Sequence, residues 1–222
     1  MAIEYTKWWY KSWEKITTFI SGIEWTQFIS FLRKGKNGYN LTPEDHEIIK
    51  QKLASGYYII LTKRKTHLTT YFIELLSFLK TGKPADYTHA LMNLDLEDDP
   101  NSFEDFKLME ATSKGVHLSS FLEVFDCDSV CLLQPKYVRE DHWDEIMTGL
   151  ATQMGKKYDN LFNINDDTYV SCVEMVLDSL RFSPKYWDAF PHLEEMIKDV
   201  GNLTPQMYRD CSDFNVVLEI KR

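Results

Sequence analysis

Apolar residues change period several times along the chain, and each change marks an element. Val173, Val176, Leu177 and Leu180 recur at i, i+3, i+4 and i+7, the spacing of one buried helix face. Ser171 and Glu174 stand three apart just ahead of that stripe, a capping-box signature that makes Ser171 the N-cap and Cys172 the first helical residue. Thr42, Pro43 and Gly56 bound a second helix in "TPEDHEIIKQKLASG". Further helices are predicted over 66–82, from a cap at Asp141 through Ile146, Leu150 and Met154, and in "PHLEEMIKDVG". Residues 4–34 carry Trp9, Trp13, Ile16, Ile20 and Ile23 at steps of four and three, an amphipathic helical segment that Ser21 and Gly22 bend or split. A turn or short linker, "KGKNGYN", follows at 34–40.

Between the outer helices the pattern becomes strand-like. "YYIILTK" (57–63), "DYTHALMNLDL" (86–96), "DFKLMEAT" (105–112) and "SVCLLQP" (129–135) read as strands, with "FNVVLEIKR" closing the chain. Their connections are too short for repeated right-handed crossovers. An α+β domain over 41–222, its mostly antiparallel sheet packed against helices, is therefore expected, with residues 1–40 as a helical extension.

Composition narrows the function. Thirty-four acidic residues outnumber twenty-five basic ones, and a net charge of −9 argues against a mainly electrostatic partner such as nucleic acid or an anionic membrane. No apolar run approaches the length of a membrane span. The opening residues lack a signal peptide's apolar region and cleavage site. Four cysteines in 222 residues do not make a disulfide framework, so free thiols and a reducing compartment at synthesis are expected.

Cys172 is the candidate chemistry. At the first position of a helix a thiol feels the positive end of the backbone dipoles, which favours thiolate. A small core residue is the plain alternative, since free cysteines are commonly buried. To act, the thiol needs a base and a group to orient that base. Among six histidines, His46, His142 and His192 sit in capping sequences where a solvated ring is the default; His67 and His117 are open. His89 begins a strand, from which its ring can meet a helix N-terminus. Glu110 lies among apolar strand neighbours and is either edge-exposed or held for a partner.

Taken in order, "GYYIILTK", "DYTHALMNL", "MEATSKGVHLSSF", "GKKYDNLFN" and "YVSCVEMV" resemble the motifs of circularly permuted papain-like hydrolases of the NlpC/P60 superfamily, the YiiX/YebB-like group. The resemblance covers roughly residues 55–182. It implies a cysteine peptidase or amidase with Cys172 as nucleophile, His89 as general base and Glu110 orienting the imidazole, with no cofactor and no metal. Tyr158, and Thr88 beside the histidine, match positions that line the cleft, and Asp159 makes a turn. Tyr57 stands where the family has an acid and Val173 where it has a serine after the cysteine. The insertion over residues 63–86 is expected to wall or cover the site.

Other readings compete for the same residues. Cys127 and Cys131 have the spacing of half a zinc knuckle but no second pair, so a strand packing small residues accounts for them better. Cys211 reads as structural. The Trp9/Trp13 helix packs on its own domain, lies on a membrane surface, or docks a protein partner, for which its tryptophans are suited. Two functions follow: a cysteine hydrolase acting on peptidoglycan stem-peptide amides or a related acyl substrate, and a bacteriophage virion or assembly component that keeps the fold and works through protein contacts. The first is cytoplasmic at synthesis; the second is virion-associated.

Overall fold

A computed structural model describes residues 41–64, 68–94, 106–159, 169–200 and 204–222. The Trp9/Trp13 segment, the turn at 34–40 and His67 lie outside the described residues.

The chain is α+β. In order come α1 (Pro43–Leu53), β1 (Ile59–Lys63), α2 (Leu68–Thr81), β2 (His89–Asn93), β3 (Leu108–Thr112), β4 (Gly115–Ser119), α3 (Phe121–Phe125), β5 (Ser129–Pro135) and α4 (Glu140–Thr152). Then follow β6 (Lys157–Tyr158), β7 (Tyr169–Val170), α5 (Cys172–Arg181), α6 (Tyr186–Ala189), α7 (Pro191–Val200), α8 (Pro205–Asp210) and β8 (Phe214–Lys221). Six strands form one sheet in the order β4-β3-β2-β1-β5-β8, and every neighbouring pair is antiparallel.

Successive strand residues alternate between two cores. Ile59, Leu61, Ala90, Met92, Met109, Ala111, Cys131 and Leu133 face α4 and α5, where Ile146, Leu150, Val176 and Leu180 meet them. Ile60, Leu91, Leu108, Val130 and Leu132 face Ile49 and Leu53 of α1 and Phe121, Val124 and Phe125 of α3. A sheet covered on both faces explains why β1 and β5 read as unbroken apolar runs. β1 starts two residues later than its pattern predicts. The Tyr58 N–H leaves the ladder for the Asn93 side-chain oxygen at 2.7 Å, while the Asn93 amide donates to the Gly56 carbonyl at 2.9 Å.

Thr42 caps α1 as expected, with Asp45 completing the box. The cap assigned to Asp141 is corrected: Arg139 holds that position, and its N–H donates to His142 Nδ1 at 3.4 Å. His142 is accordingly buried rather than solvated. α4 ends at Thr152, so Met154 falls beyond it and is exposed. His46 is part-buried, donating to the Phe125 carbonyl; of these three rings only that of His192 is largely exposed, and it is hydrogen-bonded to Asp213. The apolar pattern also misses β4, which carries only Val116 and Leu118 as apolar residues and lies at the sheet edge.

All four cysteines are free and buried, and no cluster of metal-ligating side chains occurs among the described residues. Cys131 packs in β5, as the strand reading expects. Among the described residues no helix is long and apolar enough to cross a membrane.

Candidate active site

Helix α5 begins as its sequence predicts. The Glu174 N–H donates to Ser171 Oγ at 3.3 Å, and the Ser171 N–H donates to Glu174 Oε2 at 2.7 Å. Ser171 keeps its extended backbone, so Cys172 is the first helical residue, where backbone N–H groups lack intrahelical acceptors. Buried Tyr208 fixes this turn by donating to the Val173 carbonyl at 2.8 Å. α5 lies across β2 and β3, with α4 on its flank. Those helices approach closely because position 149 is glycine: a Cβ there would stand 2.5 Å from the Phe182 Cβ.

His89 is the first residue of β2. The β2–β3 ladder runs only from Leu91–Glu110 to Asn93–Leu108, so His89 stands beyond its end. From there the ring is hydrogen-bonded to Glu110 and close enough to the Cys172 thiol for the sulfur to raise its proton affinity. Its Nε2 lies 2.7 Å from Glu110 Oε2, which leaves Nδ1 for the sulfur. The imidazole side chain is 24% exposed while Cys172 is 1% exposed, so a substrate must approach the sulfur from the imidazole side.

Glu110 is buried and held for a partner; the edge-exposed alternative is excluded. Ser119 donates to its Oε1 at 2.5 Å, and His117 Nε2 lies 3.8 Å from the same oxygen. Burial disfavours charge on both members of the His89–Glu110 pair. For His89 that effect is outweighed by the hydrogen bonds and electrostatic attraction of Cys172 and Glu110, which raise it to about 10. For Glu110 it is outweighed by the bond and charge of His89, helped by Ser119 and Arg64, which lower it to about 2. The pair is therefore charged across the neutral range.

Tyr158 also stands near the sulfur. β6 and β7 pair in parallel with Tyr158 opposite Val170, two residues before Cys172, and the thiol is among the groups that act on its phenol. Burial, reinforced by Cys172, Asp159 and Glu174, pushes the phenol well above its ordinary range, so it stays a proton donor. Thr88, expected in the cleft, is buried with its hydroxyl 3.3 Å from that of Thr70 on α2, which packs it against the inserted helix. That contact sets the first turn of α2 beside the residue preceding His89, as a wall. The two positions that depart from the resembled motifs border the core: half-buried Tyr57 packs on Trp143 with ring centroids 5.3 Å apart, and Val173 is buried.

Gly115 fastens these parts together. Its φ is +91°, and a Cβ there would stand 2.6 Å from the Lys156 carbonyl oxygen. This close approach lets the Val116 N–H bond that carbonyl at 2.9 Å, tying the hairpin that carries Glu110 to the strand that carries Tyr158. Gly115→Ala is expected to cost at least about 2 kcal/mol, because it adds a left-handed-region penalty to a backbone clash. Equilibrium unfolding in denaturant measures it, and an unchanged midpoint contradicts it.

His117 is the site neighbour that sequence reasoning left open. Its signal is arithmetic: a two-residue turn at Ser113–Lys114 pairs Thr112 with Gly115 and so sets Glu110 opposite His117. No protein-family model matches the chain, and no curated protein or solved structure does either.

Proposed function

We propose that the protein is a cysteine hydrolase of amide or related acyl bonds, with a permuted papain-like arrangement of the kind its motifs resemble. The observation that carries this reading is the His89 imidazole, bonded to the buried Glu110 carboxylate and interacting electrostatically with a thiol at a helix N-terminus. That is the nucleophile–base–orienter order of a catalytic triad.

In this mechanism the Cys172 sulfur attacks the carbonyl carbon, and charge develops on the carbonyl oxygen. The Cys172 N–H, which has no acceptor among the described residues, and the Tyr158 hydroxyl are the nearby donors for that oxygen. As the C–N bond breaks, His89 gives its Nδ1 proton to the leaving amine and an acyl-thioester remains. Water then attacks the thioester while His89 takes its proton, releasing the acid and the Cys172 thiolate beside the protonated imidazole. Glu110 holds the ring in one tautomer and balances its charge throughout. Peptidoglycan stem-peptide amides are the substrate class favoured by the family resemblance. The test is incubation with peptidoglycan fragments and an acyl-thioester panel, read by mass spectrometry for a new carboxylic acid and its matching amine or thiol.

The second reading, a virion or assembly component, draws on Tyr71, Leu75 and Phe78. These stand at i, i+4 and i+7 on α2, each about half exposed, as a docking face does. It predicts no product from any member of the panel.

A further inference from the structure

We infer that His117 is a positioning residue that governs the proposed Cys172–His89–Glu110 relay through Glu110, weakening the His89–Glu110 bond when its own ring gains a proton. The inference rests on the hydrolase reading for its consequence and on geometry for its substance.

The His117 Nδ1 lies 2.9 Å from the Gly115 carbonyl. A carbonyl only accepts, so Nδ1 carries a hydrogen in either protonation state. In the neutral ring Nε2 is therefore a bare lone pair, 3.8 Å from Glu110 Oε1 and unable to donate to it. In the cation the same nitrogen carries N–H and a positive charge directed at a carboxylate that is 8% exposed. One carboxylate then serves two imidazolium rings. Attraction to His117 draws negative charge from the oxygen facing His89, and the His89 Nε2–H bond weakens. The charged and polar groups facing Glu110 among the described residues are His89 from β2, His117 and Ser119 from β4, and Arg64 beyond β1. Arg64 is anchored on the Glu123 and Val124 carbonyls. Ser119 has no charge to change. On the Oε1 side the imidazole is the side chain of the type that ordinarily changes charge between pH 5 and 8. Its side chain is 27% exposed, so protons reach it from solvent while the carboxylate stays buried.

The relation to the proposed chemistry is direct. Glu110 raises the proton affinity of His89, and His89 in turn favours thiolate at Cys172. A protonated His117 weakens the His89–Glu110 bond, while His89, raised to about 10, keeps its own proton on the acid side, so the effect is read at His89 and not as a loss of thiolate. His117→Gln keeps a polar side chain at the sheet edge and removes the switch.

Two measurements on the full chain separate this inference from the hydrolase reading. The first follows the imidazole nitrogen signals by NMR from pH 5 to 9 in the wild type and in His117→Gln. The His89 signal in the wild type is expected to show an inflection at the pH where His117 titrates, and to lose it in the variant. A His89 signal indifferent to His117 overturns the inference; the wild-type titration alone suffices if neither His117→Gln nor His117→Asn folds. The second follows iodoacetamide alkylation of Cys172 against pH. His117→Gln is expected to leave the Cys172 rate within about three-fold of the wild type, because His89 keeps its proton in both. A larger change in a folded His117→Gln protein overturns the inference that His117 acts through the His89–Glu110 bond. An NMR inflection alongside an unreactive Cys172 upholds the coupling and overturns the hydrolase reading.

Discussion

Under the proposed mechanism, Cys172→Ala is expected to abolish hydrolysis of any substrate the wild type is found to cleave, by on the order of 10⁴-fold or more, and to leave the fold in place. The size follows from the role. Without sulfur there is no acyl-enzyme, and losing the nucleophile of a triad costs about as much as losing all its members. The fold survives because little is removed. Cys172 is almost wholly buried, so deleting one sulfur leaves a small cavity costing about 1 kcal/mol, and alanine suits a first helical turn. Turnover by mass spectrometry, with thermal unfolding in parallel, separates the two effects. Activity retained in a folded Cys172→Ala protein contradicts the mechanism outright.

Removing Glu110 acts on stability and chemistry together. Glu110 is 6% exposed as a residue, and Glu110→Ala strands the His89 imidazole and the Ser119 hydroxyl. Breaking a buried pair from one side costs about 3 kcal/mol or more. Activity falls by on the order of 10²–10⁴, because His89 loses its fixed tautomer. The stability loss depends on pH in a defined direction. Glu110 is lowered from 4.5 to about 2, so its contribution is full above 4.5 and disappears as pH falls toward 2. His89 is raised from 6.5 to about 10, so its contribution is full below 6.5 and disappears as pH rises toward 10. The difference between wild type and Glu110→Ala is therefore largest from about pH 4.5 to 6.5 and shrinks on both sides. Denaturant titrations at three pH values measure it, and a difference independent of pH contradicts a charged pair.

The parts of the site that depend on neighbouring residues were legible in the sequence. The box at Ser171 and Glu174 is a local device, and α5 starts where it says. β5 matches its pattern end to end, because burial on both faces leaves a continuous apolar run between turn residues. Long-range pairings were not legible. Residue chemistry alone made edge exposure the default for Glu110, and only the resemblance gave it a partner; its burial depends on the two strands paired on either side of its own. Arg139 displaces Asp141 as a cap because the His142 ring turns inward to accept its N–H, a tertiary preference that no local propensity records. His117 stayed open because β4 is a short edge strand whose apolar alternation spans only two residues.

Limiting iodoacetamide near neutral pH, followed by peptide mapping of all four thiols, tests the central claim most directly. Burial pushes Cys127, Cys131 and Cys211 up to about 12, so these thiols stay protonated and slow. Cys172 alone combines a helix N-terminus with a charged imidazole. The account predicts that Cys172 labels first in the native protein and that His89→Ala slows it toward the other three. First labelling at Cys127, Cys131 or Cys211, or a Cys172 rate indifferent to His89, contradicts it.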